Sequence, residues 1–337
     1  MSLNLPASIP LPTIPGPPAE RLRSFYESIP ELLESWLGRR ASPHTQRAYR
    51  SDVLTFVGFL QLAWPAEGAG LFTATVRDVQ NYREHLTTRC AAPKTINRRI
   101  SSLSSFYRYL GSCAAELRLP VQVSNPASTV FIARAVPDAQ RETHALSSDA
   151  ARQLLTLPEG STLEAFRDRA ILSVYLYTGI RLMTGCRLEV EDFMWDGSQA
   201  ALRLREKGGR LRLIGLHYTA ARALDAYLKE SGLAAGPLFR PLRGFQSSRP
   251  MSAVSMYTLI LRYLSQLPGS MRIRDGRPRC LYTPHSLRAT TATLLLQQGA
   301  DITKVQELLG HRYVTTTQLY DKRRRSLTEG ASHQVPL

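Results

Sequence analysis

Apolar residues recur at three- and four-residue spacing through two blocks of this 337-residue chain, and the stretch between them, residues 121–142, has no such period. That pattern limits the fold to helices packed into two domains joined by a connecting segment. In the first block, IPELLESWL (29–37) places its apolar residues on one helix face. SPHTQRAYRSDVLTFVGFLQ (42–61) opens with Ser42 as N-cap and Pro43 at the first helical position, and Tyr49, Val53, Phe56, Val57 and Leu60 form its stripe. Residues 73–87 and 94–110 read as two further helices. Ile96, Ile100, Leu103, Phe106, Tyr107 and Leu110 line one side of the last, while Lys94, Arg98, Arg99 and Arg108 make the rest of its surface cationic.

The flanking segments differ. Six prolines fall in residues 1–18, which suits a flexible or extended arm, taken here as 1–27, before a helical domain at 28–120. Residues 121–142 contain Pro126 and Pro137 and read as a linker, with a short ordered stretch at Thr129–Ala133. The second domain, 143–337, begins with LSSDAARQLLTL as a capped helix, followed by LEAFRDRAILSVYLYTG, an apolar helix that ends at Gly179. AALRLREKGGRLRLIGL reads as a β-hairpin: Leu202 and Leu204 alternate with Arg203 and Arg205, Leu211 and Leu213 flank Arg212, and Gly208-Gly209 supplies the turn. TAARALDAYLKESG, AVSMYTLILRYLSQL, PHSLRATTATLLLQQGA, DITKVQELLGH and a last helix around TTTQLYDKRRR complete a mostly helical domain with one small sheet.

The formal net charge is +16, which points to a polyanionic partner, nucleic acid first. Cys90, Cys113, Cys186 and Cys280 lie far apart, so no zinc-type pair exists and reduced thiols are expected. The first residues carry no basic start and no long apolar run, and no stretch approaches a membrane span. A soluble, cytoplasmic protein with no membrane association is expected.

Four places in the second block stand out. TGIR (178–181) puts Arg181 just past a helix end. Lys207 sits at the tip of the hairpin, beside Arg210 and Arg212. PHSLR (284–288) starts a helix at Pro284 and sets His285 and Arg288 on one face. LGH (309–311) precedes Tyr320 by nine residues, and Lys322-Arg323-Arg324-Arg325 follows. Each has an ordinary reading when taken singly: a solvated arginine, a turn lysine, a helix surface, a half-buried tyrosine, a charged helix end.

In that order and spacing the set resembles the tyrosine recombinase (phage integrase) family, including its Xer-type and integron integrases, over about residues 28–325. The resemblance implies a SAM-like, all-α core-binding domain and an α+β catalytic domain with a small hairpin sheet. It implies site-specific cleavage and rejoining of duplex DNA through a 3′-phosphotyrosyl link, in the integration, excision or resolution of a mobile element. Arg181, Lys207, His285, Arg288, His311 and the nucleophile Tyr320 would be the catalytic set. Lys94, Arg98, Arg99, Arg108, Arg210, Arg212, Lys322 and Arg323 would contact DNA. Inverted-repeat sites, four protomers on two duplexes and a Holliday junction follow from the same resemblance, as does a clamp of the two domains around the duplex. A type IB-like topoisomerase and a catalytically impaired, recombinase-derived DNA-binding regulator are the alternatives.

The chemistry suits these residue types. Attack on a phosphodiester gathers negative charge on the non-bridging oxygens, and arginines supply permanent charge with forked donors. No carboxylate cluster offers a two-metal site, and no metal or cofactor is expected. A phenol has a pKa near 10, so nearby arginines and His285 are expected to favour its ionisation. His285 and His311 would donate to the phosphate or manage the nucleophile's proton, and Lys207 would protonate the leaving 5′-oxygen. One departure stands out. The family usually has an acid three positions past the first arginine, where this chain has Thr184, with Arg187 where glycine is common; Glu189, Glu191 or Asp192 could substitute for the acid.

Overall fold

A computed structural model describes residues 18–136, 143–205, 211–242, 248–274 and 276–321. The chain divides into two compact units, Met1–Arg141 and Glu142–Leu337.

The first unit is all helical: α1 Pro18–Glu27, α2 Ile29–Gly38, α3 Pro43–Phe59, α4 Val76–Thr88 and α5 Pro93–Glu116, with a 3-10 turn at Gly68–Thr73. Four of the five α-helices (α1, α2, α3 and α5) carry proline in their first turn, where its missing N–H costs nothing. Thr75 and Asp78 form a reciprocal capping box at the start of α4. The core joins Phe25, Leu32 and Trp36 to Val53, Phe56, Tyr82, Leu103 and Phe106. Each side chain of this kind, fully removed from water, contributes about 1.5–3 kcal/mol.

Two boundaries differ from the sequence reading. The arm expected over 1–27 is helical over its last ten residues, and Phe25 is fully buried in the first core. The expected linker is not loose over its first fifteen residues. Ala127 and Ile132 are buried in that same core, Asn125 donates to Ser104, and the Asn97 amide exchanges two 2.8 Å bonds with the backbone of Ala135. Asparagine side chains satisfy backbone groups that no helix or strand does, so an aperiodic segment can still be ordered. Within it, the expected Thr129–Ala133 stretch contains a single turn, with Phe131 and Ile132 donating to Ser128 O.

The second unit runs α6 Ser148–Thr156, α7 Leu163–Thr178, α8 Leu182–Cys186, β1 Phe193–Asp196, β2 Gln199–Arg205, β3 Leu211–Gly215, α9 Tyr218–Ser231, α10 Ala253–Leu264, β4 Met271–Arg274, β5 Arg277–Cys280, α11 Pro284–Gln297, α12 Ile302–Leu309 and α13 Val314–Gln318. Helix α7 is buried almost all round, which makes it the axis against which α9 and α11 pack.

The expected hairpin forms, with Arg205 paired to Leu211 and Leu202 to Ile214, but β1 joins it to make three antiparallel strands. A second sheet, β4–β5, was not expected. On β3 the inward residues are Arg212 and Ile214, paired with the buried Leu204 and Leu202, while Leu211 and Leu213 are exposed. The last helix is also shorter than expected. It ends at Gln318, and Tyr320 follows in a turn, its N–H on Thr317 O. Among the described residues no helix is long and apolar enough to cross a membrane.

Candidate active site

The site is built where the C-terminal ends of α7 and α12 meet α11. Gly179 ends α7 and Gly310 ends α12, both with positive φ, which costs an L side chain steric strain. At Gly179 space is limiting as well, because a Cβ there would stand 2.5 Å from Leu309 Cδ2. Two helix ends therefore come close, and their carbonyls need donors. Arg288 on α11 provides them, donating to Gly179 O at 2.6 Å and Leu309 O at 2.7 Å while only 2% exposed. Arg181, the N-cap of α8, donates to Gly310 O at 3.1 Å. Both cations stand at helix C-termini, where the macrodipole favours them.

Tyr320 closes this arrangement. Its Oη lies 3.2 Å from His285 Nε2, in the first turn of α11. Its ring stacks beside that of His311 with centroids 6.0 Å apart, and the tyrosine packs at the edge of a small cluster of Ala292, Leu296, Val305 and Leu309. Its carbonyl accepts from Thr293 Oγ1. His311 Nδ1 is 2.9 Å from Thr317 Oγ1, a hydroxyl with no exposed surface. Thr317 carries no motif of its own, and only its place three residues before Tyr320 marks it.

The charges that shift these three groups are all positive. Burial, then Arg288 and Arg181, holds His285 below the usual histidine range. His311 is pushed down to about 4 by burial first and then by Arg288, Arg181, His285 and Arg212. Both imidazoles are neutral near pH 7. For Tyr320, burial raises the phenol pKa and outweighs the lowering by Arg288 and Arg181. This corrects the expectation that the arginines leave the phenol readily ionised: here it is protonated. A protonated phenol donating to a neutral imidazole suits the 3.2 Å contact.

Arg181, His285, Arg288, His311 and Tyr320 are thus gathered at one place. Lys207, Arg210, Lys322 and Arg323 lie outside the described residues. The candidate DNA-contacting residues divide. Arg212 turns inward and donates to the carbonyls of Glu307 and Leu308 (2.6 Å to the latter), serving the end of α12. Arg98 pairs with the buried carboxylate of Asp52, and Arg99 lies 3.9 Å from it, so both have a structural duty in the first unit. Lys94 and Arg108 stand on α5. Thr184, at the position where an acid is usual, is buried on α8. The acids that were to replace it are engaged elsewhere: Asp192 with Arg203 and Arg205, Glu189 with Arg205, and Glu191 with the Gly236 N–H.

Family models match both units: "Phage integrase family" over residues 144–326, and "Phage integrase, N-terminal SAM-like domain" over 32–112. The chain belongs to the phage integrase family. Its relatives include tyrosine recombinase XerC of Xanthomonas campestris pv. campestris, 30% identical over 305 residues, covering 90% of this chain and 86% of that one. XerC of Pelobacter propionicus is 32% identical over 289 residues, 84% of this chain and 85% of its own. The fold is that of the XerH site-specific recombinase in a post-cleavage complex, at 18% identity and TM-score 0.66, over 91% of this chain and 83% of that one. A lambda integrase tetramer bound to a Holliday junction matches with TM-score 0.62 and 19% identity, over 91% of this chain and 80% of that one.

Proposed function

We propose that this chain is a site-specific tyrosine recombinase whose nucleophile is Tyr320. One observation carries the residue assignment: a protonated phenol 3.2 Å from a neutral His285 Nε2, with two arginines acting on it and no acid among the charges that shift it. A phosphodiester entering this place brings the negative charge that the cations lack. Arg181 and Arg288 then hold its non-bridging oxygens and stabilise the added charge of the five-coordinate state. As the Tyr320 oxygen bonds to phosphorus, its proton passes to His285 Nε2. The bond from phosphorus to the 5′-oxygen breaks, and Lys207 supplies the proton that makes the 5′-hydroxyl. The phosphotyrosine keeps the energy of the broken diester, so a second strand's 5′-hydroxyl can reverse the step.

His311 needs its Nε2 proton to donate to a phosphate oxygen. In that tautomer Nδ1 is an acceptor, and the Thr317 hydroxyl 2.9 Å away is placed to donate to it. Its position ties the turn that carries the nucleophile to the histidine that serves the same phosphate. Duplex DNA with inverted-repeat sites is the substrate, and four protomers on two duplexes are the working assembly. Support for the latter comes from the fold shared with the lambda integrase tetramer solved on a Holliday junction.

A duplex that the purified protein protects from nuclease, nicked within the protected stretch so that the covalent complex is trapped, tests the assignment in the presence of a metal chelator. Wild type forms a protein–DNA adduct, and Tyr320→Phe, with the same fold and DNA affinity, forms none. DNA binding by wild type without any adduct would leave a DNA-binding regulator in its place.

A further inference from the structure

Residues 271–280 read MRIRDGRPRC and form the two-stranded ribbon β4–β5. Its register sets Arg272 opposite Arg279 and Arg274 opposite Arg277, while Met271 faces Cys280 and Ile273 faces Pro278. Side chains alternate across a strand, so Arg272, Arg277 and Arg279 share one face, and all three residues are exposed. Like charges directly opposite each other destabilise a ladder. A lone two-stranded ribbon is already marginal in water. Among the described residues no ion pair with an acid offsets these three arginines. The opposite face is not covered either, since Ile273 is 74% and Met271 45% exposed. Its base is tied down: Leu281 donates to Ser270 O at 2.6 Å, and Cys280 and Tyr282 pack on the second core. From that base the chain runs through Thr283, the N-cap of α11, directly into His285 and Arg288.

From this arrangement we infer that β4–β5 is a second DNA-contacting element, whose arginine face grips phosphates of the duplex flanking the scissile one. The inference rests on the reading that the chain binds and cleaves duplex DNA. An exposed row of directly opposed arginines is costly alone and favourable against a row of fixed anions. Arginine's forked donors suit phosphate oxygens. Strands of this length extend about 13 Å from their base at about 3.4 Å per residue, and duplex DNA carries a charge about every 1.7 Å of axis, so the ribbon spans several phosphates. Its root lies in the segment that leads into the histidine of the catalytic set, so ribbon and set stand on one continuous stretch of chain.

The test compares the full-length wild type with Arg272→Gln/Arg277→Gln/Arg279→Gln, using a fluorescent random-sequence duplex titrated across a salt series. The variant should bind more weakly, with a plot of log affinity against log salt shallower by about 0.9 for each phosphate that the ribbon no longer neutralises. The corresponding triple lysine variant should keep most of the slope. Arg152→Gln/Arg222→Gln, which removes exposed charge elsewhere, should leave it unchanged. A triple glutamine variant that melts like wild type and retains the wild-type slope would overturn the inference, as would an equal loss in the Arg152/Arg222 control. Adduct formation on the nicked duplex at saturating protein separates this from the parent reading. The triple glutamine variant should still form the adduct, whereas failure of wild type to form it counts against the recombinase reading and leaves the salt slopes to decide the ribbon.

Discussion

Around Asp52 in the first unit and around Arg288 in the second, buried polar groups meet arginine in opposite ways. Asp52 is 1% exposed; Ser102 donates to it at 2.8 Å, Arg98 pairs with it and Arg99 lies nearby. Burial raises the Asp52 pKa against the lowering by Ser102, Arg98 and Arg99. There the cation answers a carboxylate, and the two charges largely cancel. Arg288 is held instead by the carbonyls of Gly179 and Leu309. Carbonyl dipoles orient a guanidinium without cancelling its charge, so its field still acts on His285, His311 and Tyr320. An arginine counted in a sequence is thus available to DNA only if its partner is a dipole or solvent.

Substitutions can break or sharpen that contrast. The largest effect after loss of Tyr320 itself is expected at Arg288. Arg288→Lys keeps a charge but cannot bridge two helix ends, and adduct formation on the nicked duplex should fall by about 10²- to 10³-fold. A rate near that of wild type would show that the bridging geometry does not matter. Next comes Thr317→Val, which removes one hydrogen bond to His311 and should slow adduct formation by about tenfold. Thr317→Ser should restore it, with substrate affinity constant throughout; failure of serine to rescue would mean that the residue only packs.

A smaller effect concerns acidity. A histidine whose folded pKa is depressed binds fewer protons in the native than in the unfolded state. Its contribution is therefore present above the unfolded value near 6.5 and is lost as pH falls towards the folded value, about 4 for His311. The melting temperature should drop across that window, and His311→Gln should reduce the drop. An unchanged pH profile in that variant would contradict the assignment of the depressed pKa to His311. The smallest expected effect is at the contrasting site. Asp52→Asn should leave adduct formation at saturating DNA within about 0.5 kcal/mol of wild type, roughly a factor of two. It should also tighten non-specific DNA binding, because Arg98 and Arg99 regain uncancelled charge. Weaker binding would show that the Asp52 pairing orients those arginines for DNA rather than withholding them.

Much of the scaffold was legible because helices announce themselves locally. Ser147 and Thr162 cap where the chain leaves a turn, and Gly179, Gly232 and Gly310 end helices in the left-handed conformation. The β1–β2 and β4–β5 hairpins are marked by a local signal as well. Each stretch carries an Asp-Gly dipeptide in the sequence, at 196–197 and 275–276, and both glycines have positive φ. The orientation of β3 was not legible, since a strand with leucine, arginine, leucine and isoleucine in series reads equally well with either face inward. The inward turn of Arg212 was decided by the carbonyls of α12, ninety-five residues away in the chain.

Sequence alone determined the family, the helical plan of both units, and the residue types able to meet a phosphate, because caps, periodicity and motif order are local or ordered along the chain. Tertiary structure alone decided which arginines are offset by a carboxylate, that burial outweighs the arginines at the Tyr320 phenol beside His285, and that a buried threonine meets His311. Those outcomes depend on desolvation and on partners from distant segments, such as Gly179 with Arg288 or His285 with Tyr320, and only the packing of helices brings these within a few ångströms.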